Sequence, residues 1–344
     1  MATQSLAVKY RPKTWDDVTE QSEIRKILEQ QLNDDEVKHG YLFCGPAGCG
    51  KTTAARIFAN EINKGKGNPI ELDAASNNSV DDIRRLIDQA QMIPLDCDYK
   101  VFILDEVHSL SNSAWQAFLK TLEEPPARAI FIMCTTDPQK IPATILSRAQ
   151  RYNFQKISMS GIVNRLFDIL ESESTEYSDI DWEAGAVDYI AKLAEGGMRD
   201  AITMMDKCLS YSHKLTLKSV VDALNVVDYK TMIELSDMII SGDQQKVISI
   251  IEDLYNSGKD LKQFIKSYMQ FLLDCRKWFI GCDWQYIGIP KLNEYEDWMS
   301  KVDTKSIAEL LGTIIDLIPD IKYSSAVKYD VEASLLRFID DRSN

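Results

Sequence analysis

No stretch of this sequence approaches the roughly 18–20 consecutive apolar residues that a membrane-spanning helix requires, so no membrane association is expected. The opening MATQSLAVKYRP has no apolar core of the secretory kind, so no export signal is expected either. Cysteine is sparse and shows no pairing logic. The seven residues, Cys44, Cys49, Cys97, Cys134, Cys208, Cys275 and Cys282, are odd in number, scattered and mostly set in apolar runs. That excludes a disulfide framework and reads as buried thiols in a reducing cytoplasm. Internal repeats, low-complexity runs and long linkers are missing as well.

A surplus of positive charge is also missing, since the formal net charge is −14. Its distribution is uneven. Residues 1–157 hold 19 Lys+Arg against 21 Asp+Glu, while residues 158–344 hold 20 against 32. A polyanionic partner is therefore expected to meet the first half, through a local patch and not a global field. With 344 residues, 45% hydrophobic and 27% charged, the chain has an ordinary globular balance. At about 150 residues per domain it should form two or three domains.

Between 40 and 154, short apolar runs at Tyr41–Cys44, Ile70–Leu72, Val101–Leu104 and Ile130–Thr135 alternate with longer periodic segments. Each run is too short for a helix, and the alternation predicts parallel strands joined by right-handed helical crossovers. After Lys51, the residues Ala54, Ile57, Phe58 and Ile62 share one helical face, and Lys64-Gly65-Lys66-Gly67 should stop that helix. Beyond about Ser158 the strand signals vanish. Amphipathic helices are expected over 161–171, 184–194, 199–211 and 217–225. Long helical patterns follow from about 225, with Val247, Ile250, Ile251 and Leu254 as one example. The fold expected is α/β: a core with a parallel sheet over 1–157, a small helical domain over 158–224, and an all-α domain over 225–344.

Gly45-Pro46-Ala47-Gly48-Cys49-Gly50-Lys51-Thr52 matches the P-loop pattern, follows an apolar strand and opens a helix. Glycines let backbone N–H groups close around phosphate oxygens, and the helix N-terminus adds favourable partial charge. Lys51 should reach the β- and γ-phosphates, and the Thr52 hydroxyl should sit on Mg²⁺. Farther on, Val101-Phe102-Ile103-Leu104 ends in Asp105-Glu106. Asp105 suits the metal side of such a site. Glu106 suits a base that orients the attacking water, which favours hydrolysis over mere binding.

Asp105-Glu106-Val107-His108, Lys120-Thr121-Leu122-Glu123-Glu124-Pro125-Pro126, Thr135-Thr136-Asp137-Pro138-Gln139-Lys140 and Ser147-Arg148 resemble the AAA+ clamp-loader ATPases, in particular the gamma/tau subunits of bacterial DNA polymerase III. Lys9-Tyr10-Arg11-Pro12 with Trp15-Asp16-Asp17-Val18, and Glu195-Gly196-Gly197-Met198-Arg199-Asp200-Ala201, match too. These motifs run in order over about residues 7–205. The last 120 residues carry none and are assigned by position.

The resemblance implies an ATP- and Mg²⁺-dependent subunit that opens a sliding clamp and places it on primer–template DNA without reading sequence. Other loader subunits are the implied partners, in a pentamer. It implies that Thr136 senses the γ-phosphate, that Arg148 is an arginine finger for a neighbouring subunit, and that Arg199 couples the lid to the nucleotide. Tyr10 and Arg11 are implied to border the adenine, and Thr53 joins residues 45–52 as the nucleotide-binding set. Arg84, Ser111, Lys120 and Thr144 are implied DNA contacts, their short polar or cationic side chains suiting backbone phosphates. Met92, Ile93 and Leu95 form an apolar tip where the family places its clamp contact. Ordinary core packing is the competing reading of that tip.

The sequence departs from the family in three places. Glu61–Asn68 is short and lacks the four-cysteine zinc module, so no zinc is expected. Cys44 and Cys49 flank the P-loop with no second Cys or His pair nearby, and read as packing residues. Ser147-Arg148-Ala149 replaces the usual Ser-Arg-Cys and keeps the finger. Asn77 stands where the family often has a DNA-contacting Arg, so a weaker DNA grip is expected. The sequence ends at 344, where the tau form would continue toward polymerase and helicase. A streamlined or virus-encoded relative, in a bacterial or virus-infected host cytoplasm, fits these omissions.

Two other readings keep a nucleotide site: a non-hydrolysing scaffold subunit, and another AAA+ machine such as a branch-migration helicase. Lys51, Glu106 and Thr136 argue against the first. The helical residues 225–344, with 14 Lys+Arg against 20 Asp+Glu, suit a protein–protein collar better than a DNA reader. A small-molecule kinase explains neither Ser147-Arg148 nor the helical domains.

Overall fold

A computed structural model describes residues 4–177, 179–283, 286–288 and 293–343. Contacts divide the chain into two compact units, residues 1–180 with 190–206, and residues 181–189 with 207–344.

The first unit opens with helix α1 (Leu6–Lys9), a 3-10 turn at Trp15–Asp17 and α2 (Ser22–Asn33). Then β1 (Gly40–Cys44), α3 (Lys51–Ile62), β2 (Ile70–Asp73), α4 (Val80–Gln91), β3 (Lys100–Asp105), α5 (Asn112–Glu123), β4 (Ala129–Thr135), α6 (Ala143–Leu146) and β5 (Gln150–Asn153) alternate as expected. The five strands form one sheet in the order β2-β3-β4-β1-β5, and every pairing is parallel. Helices cover both faces, which is why the central strands read as unbroken apolar runs.

Side chains alternate across the sheet with the period of two that strands impose. Tyr41, Phe43, Ile103, Ile132 and Cys134 pack toward α2 and α3, beside Leu28, Ala54, Ile57 and Phe58. Leu42, Phe102, Leu104, Phe131 and Met133 pack toward α4 and α5, beside Ile83, Leu86, Trp115 and Phe118. The Trp15 indole donates to Glu61 Oε2 at 2.7 Å, so the segment after α1 is pinned onto α3.

Helix α7 (Met159–Glu176) begins two residues before the expected start and runs to Glu176. Helices α8 (Ala184–Leu193) and α9 (Met198–Tyr211) follow close to expectation.

One expectation is corrected in the second unit: strands do not vanish after Ser158. Asp181–Trp182 and Lys214–Leu215 form a short parallel pair, β6 and β7. Two residues are too few to show any periodicity, which is why the pattern missed them. Helices α10 (Leu217–Leu224), α11 (Tyr229–Ser241), α12 (Gln244–Asn256), α13 (Leu261–Phe279), α14 (Asn293–Lys301), α15 (Thr304–Lys322) and α16 (Val327–Ser343) complete this unit. Val247, Ile251 and Leu254 are buried along α12. Asp228, Asp243, Asp260 and Asp303 each cap a helix N-terminus by accepting backbone N–H groups. Part of the acidic surplus of this half is therefore capping chemistry. Among the described residues no helix is long and apolar enough to cross a membrane.

Candidate nucleotide site

The carboxyl ends of β1, β3 and β4 share one rim of the sheet, because Cys44 lies beside Thr135 and Leu104 beside Met133 in register. Ligands of open parallel sheets bind at such a rim. Residues 45–50 turn from β1 into α3 there. Gly50 holds φ of +100° and Gly48 of +71°, in the left-handed region that favours glycine. A Cβ at Gly50 would meet nothing within 4 Å, whereas one at Gly48 would lie 2.9 Å from Gly197 Cα.

Lys51 is buried, and its ammonium donates to the Gly45 and Pro46 carbonyls at 2.8 Å each. The charge is thus held at the mouth of the loop. The Thr52 hydroxyl donates to Asp105 Oδ2 at 2.7 Å. The Cys49 thiol donates to the Pro46 carbonyl at 3.0 Å, and burial pushes its pKa up. Cys44 is buried too, so both cysteines pack.

Glu106 follows β3 with φ of +49°, a left-handed conformation that costs a non-glycine residue energy. Two groups approach its carboxylate. The Thr136 hydroxyl donates to Oε2 at 3.0 Å, and His108 Nδ1 lies 3.2 Å from the same oxygen. His108 Nδ1 is also 3.2 Å from the Thr135 hydroxyl.

Opposite the loop, the segment after α7 and α8 closes a cavity of about 400 Å³. Residues Ala47 to Thr53, Asp105, Glu106, Tyr10, Arg11 and Arg199 all line it. The Met198 N–H donates to the Gly48 carbonyl at 3.0 Å, so the start of α9 is bonded directly to the loop. Arg11 Nε donates to the Thr53 hydroxyl at 3.4 Å. Burial lowers the Arg11 pKa, with Arg56 and Arg199 nearby adding to the effect. An arginine stays charged through such a shift. Arg11, Lys51 and Arg199 therefore make this wall cationic, which suits a polyphosphate, while Thr52 and Asp105 offer hard oxygen ligands suited to Mg²⁺. The Tyr10 hydroxyl donates to Glu173 Oε1 at 2.6 Å, and Lys9 lies 2.9 Å from the same oxygen. Burial, then the Glu173 carboxylate, push the Tyr10 pKa up to about 12.

The remaining predicted residues lie elsewhere. Arg148 does not line the cavity; its Nη2 pairs with Glu123 Oε1 at 2.7 Å. Arg84 pairs with Asp81 at 3.1 Å on the exposed face of α4. Ser111 caps α5 by accepting the Ala114 N–H. Lys120 and Thr144 are exposed. Asn77 is half-buried and donates to the Asp73 carbonyl. Met92, Ile93 and Leu95 are 61%, 74% and 95% exposed, so the tip is not core.

Sequence reasoning missed several partners. His108 was visible only as part of a motif, with no pattern to aim it at Glu106. Glu173 and Arg165, which donates to the Tyr10 carbonyl, lie on α7, more than 150 residues from Tyr10. The apolar wall residues Ile157 and Ile202 carry no distinguishing signal.

Comparison with known proteins identifies relatives along most of the chain. Three family models match in succession: DNA polymerase III, delta subunit, over residues 70–158; DNA polymerase III clamp loader subunit, ATPase lid domain, over 161–214; and DNA polymerase III subunits gamma and tau domain III, over 215–342. The chain is 38% identical over 298 residues to DNA polymerase III subunit tau of Bacillus subtilis, covering 80% of this chain and 52% of that one. It is 30% identical over 294 residues to DNA polymerase III subunit gamma of Buchnera aphidicola subsp. Schizaphis graminum, covering 79% of this chain and 80% of that one. It spans about half the length of the tau relative. Among solved structures, the Thermotoga maritima RuvB Holliday junction branch migration motor superposes with a TM-score of 0.51 at 20% identity, over 67% of this chain and 79% of that one. That likeness concerns the fold alone.

Proposed function

Because this chain belongs to the DNA polymerase III gamma/tau clamp-loader family, we propose that it is an ATP-driven loader subunit that opens a sliding clamp and places it on primer–template DNA. The observation that carries this reading is the convergence of Lys51, Thr52, Asp105, Glu106 and Arg199 on one cavity. Within it, we assign 1–157 to the nucleotide core, 158–224 to the lid and 225–344 to the oligomerising collar. The models matching 161–214 and 215–342 support the order of lid and collar, with a division at 214/215.

ATP bound with Mg²⁺ supplies the phosphoryl group and a metal that offsets charge on its oxygens. The chain's own residues do the rest. The loop amides of 45–50, with Lys51 and Arg11, hold the polyphosphate, and Thr52 and Asp105 hold the metal. Glu106 accepts a proton from the attacking water, Thr136 and His108 keep its carboxylate aimed, and Arg199 brings the lid onto the phosphates. Tyr10 borders the base. Arg148, outside its own cavity, serves the nucleotide of a neighbouring subunit.

Two surfaces complete the proposal. Arg84, Ser111, Lys120 and Thr144 contact the DNA backbone without reading sequence. Met92, Ile93 and Leu95 dock in a hydrophobic pocket of the clamp. The partners are then the clamp, other loader subunits in a pentamer, and primed DNA, all in the cytoplasm.

The deciding experiment measures ATP hydrolysis with and without a clamp and primed DNA. Strong joint stimulation is expected. A rate unmoved by both, or no hydrolysis at all, would turn the assignment toward another AAA+ machine or a scaffold subunit.

A further inference from the structure

We propose that Glu123 is the positioning residue for Arg148, holding its guanidinium ready for a neighbouring subunit's nucleotide. This rests on the reading of Arg148 as acting in trans.

The guanidinium is held by three groups of its own chain. Nη2 forms an ion pair with Glu123 Oε1 at 2.7 Å, and Nη1 donates to the Thr144 carbonyl at 2.7 Å and to Ser147 Oγ at 3.0 Å. An arginine has five N–H donors. Among the described residues, the guanidinium's hydrogen bonds all come from Nη1, so part of the donor fork remains for an outside oxyanion.

The acceptors are themselves fixed. Glu123 ends α5, whose Phe118, Thr121 and Leu122 are buried. Thr144 lies in α6, anchored by buried Ile145, and Ser147 caps that helix. Two core-anchored elements thus set the guanidinium plane.

An acid meant to silence the arginine would bury the pair and engage both arms. Here the Arg148 and Glu123 side chains are 34% and 43% exposed and share one contact. Such a pair contributes little stability but fixes direction. The adjacent Glu124 is also exposed, yet the ion pair is made by Glu123 alone. Position is thereby separated from local charge.

Positioning matters because a misplacement of about 1 Å in a catalytic group can cost on the order of 10²-fold in rate. The test mixes full-length chains at concentrations where light scattering shows assembly, with clamp and primed DNA present. An Arg148→Ala chain, which can hydrolyse only with a donated finger, is mixed with a Lys51→Ala chain that donates one. Hydrolysis should be rescued. A Lys51→Ala/Glu123→Ala donor should rescue about 10- to 100-fold less well. A Lys51→Ala/Glu123→Gln donor, which keeps the acceptor oxygen, and a Lys51→Ala/Glu124→Ala donor, which loses the same charge nearby, should both rescue well.

A fluorescent non-hydrolysable ATP analogue gives a second readout. Its release from the mixed assembly should be faster with the Glu123→Ala donor, while assembly and melting temperature stay the same. Equal rescue and equal release with the Glu123→Ala and Lys51→Ala donors would overturn the role of Glu123 and leave the trans reading standing. Failure of the Lys51→Ala donor to rescue would overturn the trans reading, and this proposal with it.

Discussion

The Thr52 hydroxyl donates to the Asp105 carboxylate across 2.7 Å, tying the first turn of α3 to the end of β3. Both are oxygen donors at the rim where the proposed metal would be held. Thr52→Val keeps the shape and removes the hydroxyl. A labelled ATP analogue should bind this variant about tenfold more weakly with Mg²⁺ and as tightly as wild type in EDTA. An equal loss under both conditions would mean that Thr52 acts through folding, not through the metal.

Glu106 accepts from Thr136 at 3.0 Å, and a glutamine in its place would still offer that acceptor oxygen. What glutamine lacks is basicity. Glu106→Gln should therefore bind ATP normally and hydrolyse it about 10²- to 10⁴-fold more slowly. Loader complexes should then persist on the clamp. Single-turnover hydrolysis at the wild-type rate would show that another residue handles the water.

Ile93 is 74% exposed at an apolar tip, so replacing it should not disturb the core. Ile93→Asp should melt where wild type does, since exposed substitutions stay within about 0.5 kcal/mol. Clamp binding measured by surface plasmon resonance should weaken by about 2 kcal/mol or more if this is an anchor residue. Unchanged affinity in the folded variant would remove the tip from the clamp interface.

Tyr10 titrates late because burial and the Glu173 carboxylate both disfavour its phenolate, raising its pKa to about 12. The folded chain thus prefers the neutral form more strongly than the unfolded chain, whose tyrosines titrate near 10. The stability gained is fully present below pH 10 and is lost as pH rises from there toward 12. The ultraviolet difference between wild type and Tyr10→Phe should show no phenolate signal from this residue at pH 10. A midpoint at the ordinary tyrosine value would mean that the Tyr10–Glu173 bond is not kept in solution.

Much of this site was legible before any coordinates. The loop at 45–52 announces itself because eight consecutive residues carry both its geometry and its chemistry. The central strands were legible because burial on both faces leaves unbroken apolar runs, as in Ala129–Thr135. The stop after Ile62 was equally local. What lay on one element, or across one turn, could be read from the order of residues.

The pairings between elements could not. Arg148 meets Glu123 from 25 residues away and Tyr10 meets Glu173 from 163, while other glutamates, Glu124 in one case and Glu171 and Glu176 in the other, lie close by in the sequence. Glu106 meets Thr136 because β3 and β4 are adjacent in the sheet, and the order β2-β3-β4-β1-β5 also sets Gly45 beside Thr135. Whether the apolar tip at 92–95 was core or surface was settled only by packing, since its residue types fit either. The sequence determined which groups exist and which local elements carry them. Only the tertiary structure decided which of them meet, because a hydrogen bond depends on a separation of about 3 Å in space, and chain order fixes that distance only between near neighbours.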